Sequence, residues 1–117
     1  MNNLWLWKCG LPEEDYNSKP IDIASLRITE WSTKFEELMR NRLVMGAIRY
    51  GKLHEHGKPQ YDRVGSMIKR LSKYEYTGNK EHLIDVANLC LLEFEECYHP
   101  NANFNSIDDG EHTKAIN

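Results

Sequence analysis

Most of the signatures that announce a function class are missing here. The sequence has three cysteines, Cys9, Cys90 and Cys97, and no C-x-x-C pair, so it offers no zinc or dithiol motif. Cys90 and Cys97 lie seven residues apart on one helix face, too far along it to bridge. They are expected to be buried free thiols in a reducing cytosol. The five histidines, at positions 54, 56, 82, 99 and 112, form no H-E-x-x-H or Cys/His spacing, and there is no G-x-S-x-G elbow. The stretch "GKLHEHGK" lacks both the spacing and the G-K-[ST] ending of a phosphate-binding loop. Positive charge is not in excess: the formal net charge is -3, so no long nucleic acid partner is expected. No apolar run reaches the ~18 residues that a membrane span requires. The opening "MNNLWLWKCGLPEED" has too short an apolar core for a signal peptide. A cytoplasmic protein is expected.

What is present is a globular composition, 40% hydrophobic and 28% charged over 117 residues. That length suits one domain, able to bury roughly two thirds of its unfolded surface. Residues 1–20 read as an irregular arm in which Trp5 and Trp7 are placed to dock on the body or a partner subunit. Residues 21–98 read as a helical core and residues 99–117 as a polar tail. A first helical pattern runs from about 25 to 49, with Trp31, Phe35, Leu38 and Met45 on one face and Gly51 as its stop. A second runs from 62 to 77, with Asp62 as N-cap, Val64, Met67, Ile68 and Leu71 as its apolar stripe and Gly78 as its end. A third runs from 80 to 98, with Leu83, Ala87, Cys90, Leu91, Phe94 and Cys97 as its core face. No stretch alternates as a strand would. The expected fold is all-α, an antiparallel bundle of three to four helices completed by oligomerisation.

The third helix carries an anomaly. Glu81, Asp85, Asn88, Leu92 and Glu95 recur at intervals of four and three, forming one stripe opposite the core face. Leu89 and Leu92 flank Asp85 and Asn88, so this side is not plainly solvated. A covered carboxylate needs a cation, a donor or a proton. The second helix offers a complement: Arg63, Ser66, Arg70 and Lys73 share a face, with Lys69 nearby. Such a stripe suits phosphate oxygens, and equally a neighbouring carboxylate or plain solvent. On the first helix, Glu37 and Arg40 read as an i, i+3 pair. Glu37 and Asp85 on facing helices would also be oxygen donors for magnesium. Asp108, Asp109, Glu111 and His112 in the tail read as solvated terminus, or as a lid.

On "KFEELMRNRL" and "EHLIDVANLCLLEFEE", the chain resembles the MazG-like all-α nucleotide pyrophosphohydrolase superfamily. Members hold magnesium between facing helices through E-x-x-E and E-x-x-D motifs. The similarity covers roughly residues 30–98 and extends, through "YDRVGSMIKRLSKYEYTGNKEHLIDVANL", to small phage-borne relatives. It implies Glu37 and Asp85 as catalytic metal ligands, with Glu81 as a third. Arg40, Arg63, Arg70, Lys73, His82 and Asn88 would contact a nucleotide or cyclic nucleotide, in a homo-oligomer. Arg40 and His82 stand where the family has glutamates, so the resemblance implies a phosphorylated ligand more directly than its hydrolysis. Three functions follow: a magnesium-dependent pyrophosphohydrolase, a non-cleaving binder of a nucleotide or nucleotide signal such as a phage would use to sequester a host immune signal, and a helical protein-interaction module.

Overall fold

The computed structural model describes residues 22–116. The arm with Trp5, Trp7 and Cys9 lies outside them. Four helices and no strand are found among the described residues: α1, Ile23–Thr29; α2, Thr33–Tyr50; α3, Arg63–Thr77; and α4, Glu81–Glu95. The fold is all-α. The chain divides into two compact units, 22–31 with 103–116, and Ser32–Ala102.

The single helix expected over 25–49 is two helices. Ser32 breaks it: its backbone is extended and its hydroxyl accepts from the Phe35 N–H at 3.0 Å, so α2 begins afresh at Thr33. Serine favours this role because its side chain satisfies an N–H that the first turn leaves orphaned. Asp22 caps α1 in the same way, accepting from the Ser25 N–H. In the same unit, Asp108 and Asp109 fold onto the N–H groups of Gly110 and Glu111.

Within Ser32–Ala102, α3 starts as its sequence promised. The Asp62 carboxylate accepts from the Gly65 N–H at 3.0 Å. The helix ends on Gly78, whose φ of 71° is left-handed and costs a glycine little. A short turn returns the chain into α4, where Asn79 Oδ1 accepts from the Glu81 N–H. α4 stops at Glu95, three residues before the expected end. It is the central element, in contact with both α3 and α2.

α4 is partly covered on both its stripes, and its two most enclosed residues are not on the expected core face. Ile84 and Asn88 are 6% and 7% exposed, and Ile84 is the one buried hydrophobic residue among those described. Cys90 and Cys97 are free but exposed, not buried as expected, and Phe94 is exposed as well. Of the expected core face, Leu83, Ala87 and Leu91 are half-buried and Cys90, Phe94 and Cys97 exposed, while on the polar stripe Asn88 is buried, Asp85 and Leu92 are half-buried, and Glu81 and Glu95 are exposed. Cations on α2 and α3 make the cover over Asp85 possible, because they give it the partners that a covered carboxylate needs. The α3 stripe is open too, with Val64, Ile68 and Leu71 all exposed. No helix among the described residues is long and apolar enough to cross a membrane.

Candidate functional site: a basic cleft beside Asp85

A cavity of about 760 Å³ lies along the inner side of α4. Its walls come from the C-terminal half of α2, the 51–62 loop, the first turns of α3, and Asp85, Asn88, Leu89, Leu91 and Leu92 of α4. The volume suits a drug- or nucleotide-sized molecule.

At one side stands Asp85. Arg42 grips it with both arms of its guanidinium, Nε donating to Oδ1 at 3.2 Å and Nη2 to Oδ2 at 3.3 Å. Arg70 approaches Oδ2 at 3.5 Å, and the remaining nitrogen of Arg42 meets Glu81 Oε1 at 2.8 Å. Bidentate pairing of this kind is strong and fixes both partners. One helix turn on, Asn88 Nδ2 donates to the Met39 carbonyl at 3.1 Å, tying α4 to α2.

The second charged cluster holds the loop. Glu96, just past α4, accepts from Lys58 Nζ at 2.9 Å, from Arg63 Nη2 at 2.6 Å and from the His54 N–H at 2.6 Å. Arg63 also donates to the Glu96 carbonyl, approaches Glu93 at 3.6 Å and lies over the Tyr98 ring. Burial works against the charge on Glu96. The Lys58 hydrogen bond, the His54 N–H, the Lys58 charge and the Arg63 hydrogen bond outweigh it, lowering the carboxyl from 4.5 to about 2. Lys58 also donates to the Lys52 carbonyl at 2.9 Å, closing the loop on itself. Gly51 opens that loop with a φ of 100°, and a β-carbon there would run into the Glu55 and Lys58 side chains. A side chain there would meet both strain and contact.

Seven cations line the cleft against two carboxylates, Asp62 and Asp85. Arg42 and Arg70 are committed to Asp85, and Lys58 and Arg63 to Glu96. Arg49, Lys52 and Lys69 make no ion pair among the described residues. Three positive charges are therefore presented to one cavity in a chain whose net charge is -3. Apart from Ser66 and Asn88 the rest of the lining is largely apolar or aromatic, including Leu43, Leu53, Leu89 and Leu92, with Tyr50 and Tyr61 edge to face at 5.7 Å.

Of the residues singled out in the sequence, Asp85, Asn88, Arg63 and Arg70 come together in this lining, and Glu81 reaches it through Arg42. Glu37, Arg40, Lys73 and His82 are not in the lining. Arg40 is exposed and pairs with Glu36 at i, i+4, rather than with Glu37. Glu37, Glu81 and Asp85 do not fit magnesium as they stand. A guanidinium sits between Glu81 and Asp85, Glu37 is exposed, and no group of three or more His, Cys, Asp or Glu among the described residues could hold a metal ion. Reading the sequence missed Arg42, Lys58 and Glu96. For Arg42 a signal existed: it falls on the apolar stripe of Phe35, Leu38 and Met45, where a cation must find a carboxylate. Lys58 and Glu96 meet only through the fold, and no spacing connects them.

No family model, curated protein or solved structure matches the chain.

Proposed function

We propose that the protein binds a nucleotide or cyclic nucleotide in the cleft beside Asp85 and holds it without cleaving it. One observation carries this: the cleft gathers cations without ion-pair partners among the described residues, Arg49, Lys52 and Lys69, around a largely apolar and aromatic lining. Phosphate oxygens answer the first feature and a planar base the second. The resemblance to MazG-like proteins points to the same class of ligand. Without a fitting metal set, binding is better supported than magnesium-dependent hydrolysis. The nucleotide-signal sequestration expected of a phage protein is one use of such a site, in a cytoplasmic setting.

The test is isothermal titration with nucleoside triphosphates and cyclic nucleotides, with and without magnesium, each mixture being checked for products by chromatography. Binding with intact ligand is expected, weakened by Lys69→Glu. Absence of binding across the panel would reject the reading. Magnesium-dependent products would replace it with pyrophosphohydrolysis.

The protein is further proposed to be a homodimer closed across the outer face of α3. Ser32–Ala102 has one buried hydrophobic residue, free cysteines and no metal group among the described residues. Domains of this size commonly need a staple, and association is one that an open apolar stripe can supply. Val64, Ile68 and Leu71 share one stripe, and Met67 carries it to α4 through the Cys90 thiol at 3.3 Å. A second copy is the partner present whenever the chain is made, and an isologous contact needs only a self-complementary patch. In an antiparallel α3 pair, Glu75 continues the stripe to the positive N-terminal end of the opposite helix.

A further inference from the structure

Asn88 is almost fully buried, yet only half of its amide is used. Its Nδ2 donates to the Met39 carbonyl, which fixes the orientation, because the reversed amide would set two oxygens against each other. Its Oδ1 is the buried side-chain oxygen or nitrogen without a hydrogen-bond partner among the described residues. Such atoms are rare because leaving them unmet is costly. Asn88 lines the cleft, between Asp85 on the preceding turn and Leu92 on the next, with Leu89 beside it.

We infer that Asn88 Oδ1 is a specificity-determining acceptor that selects ligands bringing an N–H or O–H donor to the apolar part of the cleft. This rests on the nucleotide reading above and narrows it. Asp85 is held by Arg42 and Arg70, and Leu89 and Leu92 offer no polar atom. Oδ1 is itself closed to solvent, so a ligand reaches it only by shifting the wall around it; a donor that does so has Asn88 as its natural partner, while a carbonyl meets an oxygen and is refused. A nucleotide has two such donors, the exocyclic amine of its base and the hydroxyls of its sugar. A site built to receive a donor discriminates strongly against the analogue lacking it.

The experiment is a set of paired titrations on the whole protein. ATP is compared with ITP, and CTP with UTP, each pair exchanging an amine for a carbonyl. ATP is also compared with dATP, which loses the 2′-hydroxyl, and inorganic tripolyphosphate serves as the bare anion. The expected result is an affinity ratio of about tenfold or more in one kind of pair. Base pairs would identify the amine as donor, and the sugar pair the hydroxyl. Asn88→Leu should abolish that ratio while tripolyphosphate binding persists. These ratios need no mutant, so a variant that failed to fold would leave the comparison intact. Ligands that bind with no difference in any pair, or a difference unchanged in a folded Asn88→Leu, would overturn the role of Asn88 and leave the binding site standing. Failure of every compound, tripolyphosphate included, would remove both.

Discussion

Arg42 and Asp85, forty-three positions apart, form a two-pronged ion pair across the α2–α4 contact, with bonds of 3.2 and 3.3 Å. Asp85 is the more enclosed partner, its side chain 17% exposed against 37% for Arg42. Asp85→Asn would leave Arg42 and Arg70 facing a neutral group in a partly covered site. A loss of about 2 kcal/mol is expected from the broken charged hydrogen bonds, read as a lower denaturation midpoint. The same change adds positive potential to the cleft, so phosphate affinity should rise or hold. A collapse of affinity in a folded Asp85→Asn protein would place Asp85 in direct service to the ligand instead.

The unpaired cations make a separable prediction. Lys69 is exposed and lines the cleft without an ion pair among the described residues. Lys69→Glu should leave the melting temperature nearly unchanged, as surface substitutions generally do. Anionic ligands should bind about tenfold more weakly, and added salt should erode the wild-type affinity, because exposed charges are screened. Insensitivity to both salt and Lys69→Glu would show that phosphate recognition lies elsewhere.

Glu96 predicts an acid limb. Its folded pKa of about 2 lies below the ordinary 4.5. A depressed carboxyl stabilises the fold fully above its unfolded pKa, and that contribution is lost as pH falls through the folded value. Stability should therefore decline between about pH 4.5 and pH 2 as Glu96 takes up its proton. Glu96→Gln should flatten this limb. At neutral pH it should cost about 3 kcal/mol, since Lys58 and Arg63 are left uncompensated in an enclosed site. An unchanged acid limb in Glu96→Gln, followed by circular dichroism, would assign the loss to other carboxylates.

The punctuation of this fold was legible in the sequence, while the depth of burial on α4 was not. Asp62, Gly51 and Gly78 announce helix ends because a cap is settled within a few residues. Asp85 and Asn88 also stood out, since polar groups among leucines demand partners. Which residues of α4 are most enclosed was not legible, because periodicity marks two faces without saying how deeply each is covered. Here the cover over Asp85 depends on Arg42 and Arg70, supplied by other helices. The break at Ser32 was hidden by apolar spacing that continues through it, from Trp31 to Phe35. The Glu96 cluster joins a loop cation, an α3 arginine and a residue past α4, and no local pattern encodes such a meeting.

The open stripe of α3 gives the last prediction. Ile68 is 64% exposed at the centre of Val64, Ile68 and Leu71, and none of the three lines the cleft. Ligand binding and association can therefore be disturbed one at a time. Sedimentation should give the wild type twice the 13.7 kDa of one chain. Ile68→Asp places a charge at the middle of the contact and should weaken association by about a hundredfold or more, since a buried unpaired charge costs several kcal/mol. Tyr76, 92% exposed and pointing away from the stripe by helical spacing, is the control: Tyr76→Asp should leave the dimer intact. Should Ile68→Asp fail to fold, Ile68→Cys offers a milder probe, because a twofold contact near this residue would allow a disulfide between copies under mild oxidation. A wild type that sediments as a single chain at high concentration would reject the dimer. A dimer indifferent to both Ile68 variants would move its interface off α3.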